Sequence, residues 1–313
     1  MPGRVPTAEE VEGYFETCNN WGRWGPADEA GTLNHVTPEN RKAAAALVTE
    51  GVSVTCARQI TNEESPDVRD RPLHYMVSTG ERYVADAPKS NELQFAREFL
   101  GLVFHGFHIT HVDSLAHVFW EGKMYNGFPA TEVTAFEGAK RGSVDVAANG
   151  ITTRGVLLDI PRLKRVDWLE PGAAVFPEEL EEAEAACGVR VGKGDVLFVR
   201  TGWLRSRNEI GAVSYTEPHP GLQAACIPWI NDREIAMLGS DTINDVSPSG
   251  YPLPVPIHQV AIPRMGLWLI DNANLEELAA ACETYRRWEF MLSIAPLRLA
   301  RGTGSPVNPI ATF

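Results

Sequence analysis

At 313 residues, 44% of them hydrophobic, the chain can bury one large core or two smaller ones, and length alone does not choose between them. Acids outnumber bases by 41 to 28, and the net charge of -13 repels phosphate backbones and anionic lipid, which makes nucleic acid and membrane surfaces poor partners. The five cysteines (Cys18, Cys56, Cys187, Cys226 and Cys282) are scattered and form no Cys-x-x-Cys pair, which disfavours thiolate zinc and a disulfide framework. No apolar run at the amino terminus suits a signal peptide, and none reaches the roughly 20 residues that span a bilayer. The expected location is a reduced cytoplasm.

Taken in order, Thr7 followed by Glu10 has the form of a capping box and starts a short helix to Phe15. A second helix starts at Thr37, with Pro38 in its first turn, an alanine run behind it and Gly51 as a stop. Residues 52–57 alternate as a strand does. From Thr61 to Lys89 the chain is polar and broken by Pro66, Pro72 and Pro88, which reads mostly as loop. Apolar runs at 154–160, 194–203 and 235–241 end in polar residues, the pattern of buried strands that deliver functional groups at their ends. Pro177 to Cys187 is helical by composition with Gly188 as its cap, 266–271 is a further strand, and Asn274 starts a helix. The alternation predicts an α/β fold of mixed sheets with flanking helices. A single domain is expected, with residues 1–50 an extension packed on a main body of 51–313.

Four of the eight histidines fall within thirteen residues: His105, His108, His111 and His117, with Asp113 among them. Imidazole and carboxylate are the donors of catalytic zinc and manganese sites. On a strand, His111 and Asp113 at i and i+2 face the same way. His105 shares that parity and His108 does not, so a regular backbone admits His105 and a bulge would reverse the choice. His117 could curl back over the site from a following turn. His-Glu-x-x-His, Gly-x-Ser-x-Gly and glycine-rich phosphate loops are all absent, which argues against a zincin helix, a serine nucleophile and a nucleotide site.

The segment Thr110-His-Val-Asp-Ser-Leu-Ala-His117 resembles the core of the His-x-Gly-Thr-His-x-Asp-x-Pro-x-His motif. That motif marks the cyclase superfamily, which includes bacterial kynurenine formamidase, isatin hydrolase and dienelactone-type hydrolases. Segments 24–34, 124–127, 194–203 and 304–311 look like the longer branch of this superfamily, so the resemblance covers most of the chain. It implies a swivelling β/β/α-like fold, a homo-oligomer, and a metal held by two motif histidines, the motif Asp, a distant His and an acid. Carried over, these are His111, Asp113, His258 in Pro254-Val-Pro-Ile-His-Gln259, and Asp271, three residues before Asn274-Leu275. His117 takes the place of the base. The first motif histidine falls on Phe107, so His105 or His108 must substitute, and parity favours His105. Ile109 and Leu115 replace the motif Gly and Pro, and Asp271 is one methylene shorter than the family's Glu.

A divalent ion, zinc or manganese, would acidify a bound water toward a pKa of roughly 7 and polarise a carbonyl. His117 would accept the water's proton and return it to the leaving group. The expected reaction is hydrolysis of a small amide, lactam or lactone, a C–N or ester bond. The same groups could instead run ring closure, dehydration or isomerisation, and a non-catalytic small-molecule binder could keep the fold. Phe107, His108, Tyr125, Asn126 and Asp241 are the expected substrate contacts. For Asp241, capping a turn is an equal alternative; for Phe107, packing is the commoner role of such a residue. Arg200 is expected in an internal ion pair, and His35, His74 and His219 are expected to be solvated or structural.

Overall fold

The computed structural model describes residues 3–83 and 93–313. Met1 and Pro2 at the amino terminus, and the Pro88 and Lys89 end of the expected loop, lie outside them. The helices are α1 (Ala8–Thr17), α2 (Pro38–Ala45), α3 (Ile160–Lys164), α4 (Pro177–Cys187), α5 (Trp203–Ile210), α6 (Cys226–Arg233), α7 (Pro256–Val260) and α8 (Glu276–Tyr285). The strands run β1 (Ser53–Thr55), β2 (Leu73–Ser78), β3 (Arg97–Gly101), β4 (His111–Asp113), β5 (Val133–Thr134), β6 (Gly138–Ala139), β7 (Ile151–Asp159) and β8 (Ala174–Val175). They continue as β9 (Val196–Arg200), β10 (Gly221–Leu222), β11 (Met237–Ser240), β12 (Trp268–Asp271), β13 (Glu289–Ile294), β14 (Gly304–Pro306) and β15 (Ile310–Thr312).

Nine strands form one mixed sheet in the order β1-β15-β13-β7-β9-β11-β12-β4-β14. The middle four, β7, β9, β11 and β12, are parallel, and every other pairing is antiparallel. Strands β9, β11 and β12 are buried at every position, as expected where helices cover both faces of a parallel sheet and the sequence alternation is lost. α2 packs on β7 and β13, α4 on β7, and α8 on β1. No helix among the described residues is long and apolar enough to cross a membrane.

Local signals hold where they are chemical. Thr7 and Glu10 form the capping box of α1, Thr37 caps α2 ahead of Pro38, and Gly188 ends α4 in the left-handed region. The amino-terminal segment packs through Val11, Phe15 and Cys18, which join the main core. Gly31 adopts φ +57, and a Cβ there would lie 2.1 Å from the Gly266 carbonyl. Only glycine allows that approach.

The loop expected from Thr61 to Lys89 is corrected by the structure, which has strand β2 at Leu73–Ser78 and a 3-10 turn at Gly80–Tyr83. β2 pairs with β3, whose ladder partners stand more than fifteen residues on (Ser78↔Arg97), so composition within the segment could not reveal the strand.

Candidate metal centre

Strand β4 holds only three residues but is anchored on both sides, by β12 and by β14. Asp271 lies directly opposite His111 in the β12 pairing. Directly paired residues share a face, so His111, Asp113 and Asp271 project together. α7 brings His258 over them: its Nε2 lies 3.3 Å from Asp271 Oδ2 and 3.5 Å from Asp113 Oδ2. Nε2 of His111 is 3.4 Å from Asp113 Oδ1 and 3.9 Å from Asp271 Oδ2. His105 enters from the bend before β4, with Nδ1 2.8 Å from Asp113 Oδ1. Two overlapping sets, His105–His111–Asp113 and Asp113–His258–Asp271, each bring their ligand atoms within 4.8 Å of one another.

The four residues carried over from the family resemblance, His111, Asp113, His258 and Asp271, therefore lie together, and His105, favoured by parity, joins them at Asp113. Position 105 is reached differently from the parity argument, because residues 102–110 bend instead of forming a strand. The same bend turns His108 away. Both His108 ring nitrogens are buried without a hydrogen-bond partner, and the side chain lines a separate cavity.

Each of the three converging histidines has one nitrogen occupied elsewhere. His111 Nδ1 donates to the Ile109 carbonyl at 2.8 Å, His258 Nδ1 donates to Asp245 Oδ2 at 2.6 Å, and His105 Nε2 meets Thr303 Oγ1 at 3.1 Å. The remaining nitrogen of each ring faces Asp113. Metal-bound histidines are held in this way, with an outer partner fixing tautomer and ring orientation. Asp245 also accepts from the Ile257 and His258 amides, which fastens the first turn of α7. Asn244 donates to Asp271 Oδ1 at 2.7 Å and leaves Oδ2 to the centre.

These groups fit a cation. His105 Nδ1 and both carboxylate oxygens of Asp113 are buried without a hydrogen-bond partner, although the nitrogen and one oxygen are 2.8 Å apart. Two buried carboxylates, Asp113 and Asp271, carry the charge that a divalent ion neutralises. The electrostatics point the same way. Burial alone would raise the Asp113 carboxyl, yet His117, His105, His111 and His258 around it hold it well below the usual range. Burial alone would lower His258, yet Asp271, Asp113 and Asp245 raise it well above 6.5. His111 is raised in the same manner, chiefly by Asp113 against burial.

His117 stands at the edge of the group. Its ring lies flat on that of His105, with centroids 3.7 Å apart and planes 3° apart, and its Nε2 is 3.8 Å from Asp113 Oδ2. Burial pushes its pKa down to about 4 despite Asp113. The remaining expected contacts have other partners. Tyr125 donates to Asp28 at 3.0 Å, and Asn126 binds the Gly22 amide and the Gly25 and Asp28 carbonyls, so both tie down the amino-terminal segment. Asp241 accepts from the amides of Thr201, Gly202 and Trp203 and from the Thr201 hydroxyl, which makes it the cap of α5. Phe107 stacks on Tyr215 and meets His219 edge-on. Arg200 pairs with Asp159 and Glu276 inside the fold.

Sequence reasoning missed Asp245, Asn244 and Thr303. Asp245 lies thirteen residues before His258, a spacing with no periodic meaning, and Thr303 is brought in by the β14–β4 pairing.

A family model described as Putative cyclase matches residues 32–244. Over 148 residues the chain is 28% identical to an isatin hydrolase of Roseibium aggregatum, a stretch covering 45% of this chain and 53% of that protein. The match thus spans about half the length of that curated relative. Among solved structures, a protein described as a novel cyclase is 31% identical with a TM-score of 0.89, and the alignment covers 96% of this chain and 99% of that one. Isatin hydrolase A of Labrenzia aggregata, bound to benzyl benzoate, is 21% identical with a TM-score of 0.59 over 86% of this chain and 94% of that one. At that identity the likeness shows the fold alone.

Proposed function

This chain belongs to the Putative cyclase family, and from that premise we propose that it is a metal-dependent hydrolase acting on the carbonyl of a small amide, lactam or lactone. The observation that carries the reading is the orientation of His105, His111 and His258, each tethered by one nitrogen and aimed at Asp113 by the other. The isatin hydrolase match supports hydrolysis as the reaction type.

His105, His111, His258, Asp113 and Asp271 would hold a divalent ion, zinc or manganese, which when bound polarises a carbonyl and acidifies water. His117 is the base. Burial keeps its ring uncharged at neutral pH, and stacking on His105 fixes where its Nε2 points. It takes the proton of the attacking water and returns it to the leaving nitrogen or oxygen. With the ion bound, Asp245 would keep the proton on His258 Nδ1 and leave Nε2 to the ion, and Asn244 holds Asp271 with one oxygen free.

The chain is also proposed to act as a homo-oligomer. Among the described residues β2 and β3 pair only with each other, and one face of this hairpin presents Leu73, Tyr75 and Phe99, which are 63%, 56% and 43% exposed. Tyr75 stacks on Phe99 across the strands, and the opposite face mixes His74 and Glu98 with the exposed Met76 and Leu100. A two-stranded hairpin bare on its apolar face is marginal in water, and a second copy would cover it. A reducing compartment, and with it the cytoplasm, is the location that five unpaired cysteines support.

Elemental analysis of the purified protein is expected to find zinc or manganese, and His117→Ala to keep that metal while losing turnover of a panel of lactams and lactones. In heavy-oxygen water the product should gain the label. Metal loss in His117→Ala would make that residue a ligand, and turnover without label would replace hydrolysis by cyclisation or isomerisation.

A further inference from the structure

A polar cavity of about 480 Å³ lies apart from the metal centre. Leu204 and Asn208 of α5 form one wall, Asn274 ahead of α8 another, and Arg58 and His108 also line it. α5 and α8 follow β9 and β12, so the cavity sits outside the carboxyl ends of parallel strands, where open α/β sheets bind ligands. None of His105, His111, Asp113, His258 and Asp271 lines it.

Its polar groups are unbalanced. Of the two guanidinium groups on its wall, Arg207 is paired with Asp67 at 2.5 Å. Arg58 has no carboxylate partner among the described residues. It donates through its terminal nitrogens to the Phe107 and Asp241 carbonyls, and its Nε is buried without a partner. Both ring nitrogens of His108 are likewise buried and unpartnered. Asp241, Asp67 and Asp271 favour the charged form of Arg58 without pairing with it, and a half-buried guanidinium that lacks an ion-pair partner, beside an unsatisfied imidazole, is a place where an anion belongs. Burial lowers the Arg58 pKa to about 10, still well above neutrality, so the charge is present. Two acids, Glu63 and Glu64, also line the cavity, but both are exposed, and Glu64 faces Arg71 at 3.7 Å.

We propose that this cavity binds the carboxylate of a small organic acid, with Arg58 and His108 as its anchors. The free donors are one Nε–H and one N–H of a neutral imidazole. Two donors match the two oxygens of a planar carboxylate better than the three oxygens and double charge of a phosphate. Asn208 and Asn274 remain for the polar part of the molecule, and the volume admits a metabolite-sized ligand.

The test is a titration of the full-length, metal-replete protein with sodium succinate, read by calorimetry and thermal shift, with sodium chloride at matched ionic strength and sodium phosphate as parallel arms. Wild type is expected to show saturable stabilisation by succinate. Arg58→Met should weaken the apparent Kd at least tenfold and His108→Leu severalfold, whereas His258→Ala, which alters the metal centre, should keep the response. A wild type indifferent to succinate, or stabilised by phosphate alone, would overturn the proposal. So would an unchanged response in Arg58→Met, or a lost one in His258→Ala. Arg58 also staples two backbone carbonyls, so Arg58→Met could fail to fold; His108→Leu then decides, and its binding succinate as wild type does would overturn the assignment.

Discussion

Replacing Asp245 by Asn tests the orientation of His258 without changing side-chain size. Asp245 accepts three hydrogen bonds, from the Ile257 amide at 2.7 Å, the His258 amide at 3.3 Å and His258 Nδ1 at 2.6 Å. An asparagine keeps one accepting oxygen. If that oxygen stays on Ile257, the new NH2 faces two donors on His258, and the ring escapes the clash by moving its proton to Nε2. That nitrogen is the one facing Asp113 and Asp271, so the move places a proton where a cation would bind. Changes to such outer partners weaken metal binding by about 10- to 100-fold, or roughly 1.4–2.7 kcal/mol. Loss of the charged hydrogen bond adds about 1.5–3 kcal/mol of destabilisation. At roughly 2–4 °C per kcal/mol, melting should fall by several degrees even without metal. Competition with a chelator of known affinity measures the first quantity and thermal melting the second. An Asp245→Asn protein that melts lower yet binds zinc and manganese as tightly as wild type would refute the reasoning, because Asp245 would then cap α7 and do nothing for His258.

His35 gives a pH dependence with a definite sign. It is buried against the edge of Trp24, and burial, with Arg23 and Lys193 nearby, pushes its pKa down to about 4. Between pH 6.5 and 4 the unfolded chain binds a proton that the folded chain refuses, so this residue's contribution is present above pH 6.5 and lost as pH falls toward 4. It amounts to about 2 kcal/mol after allowance for screening. Denaturant unfolding across that window should show the fall, and His35→Phe should flatten it; equal slopes in the two proteins would remove His35 as the cause. Gly304→Ala would place a Cβ 2.4 Å from the Val112 carbonyl and 2.7 Å from the His105 ring. The expected result is about 1–3 kcal/mol of destabilisation together with weaker metal binding, and an unaltered metal affinity would show that His105 is not needed in its present position. Tyr75→Glu on the exposed hairpin face should shift sedimentation toward the monomer, and an unchanged sedimentation coefficient would move the proposed contact elsewhere.

How much of the site can be read from the chain depends on how local its geometry is. His111 and Asp113 are legible because a strand repeats every two residues, and a three-residue strand suffices to turn both the same way. The helix caps at Thr7, Thr37 and Gly188 are legible for the same reason, being satisfied within a few residues. His258 and Asp271 could be matched to a family pattern, but their convergence on Asp113 depends on the β12–β4 pairing and on the docking of α7.

Asp241 and Asp271 show where sequence stops deciding. Both are buried carboxylates at the ends of neighbouring parallel strands, and one caps a helix while the other faces His258 and His111 in the candidate metal centre. The sequence alone determines the periodic and capping features, since these arise from bonds between near neighbours. Only the tertiary structure shows the bend that seats His105 and turns His108 away, the tethering by Asp245 and Thr303, and the β2–β3 hairpin. Each of these rests on a backbone bend or a long-range pairing whose free energy comes from the whole packed sheet, and no short stretch of residues encodes it.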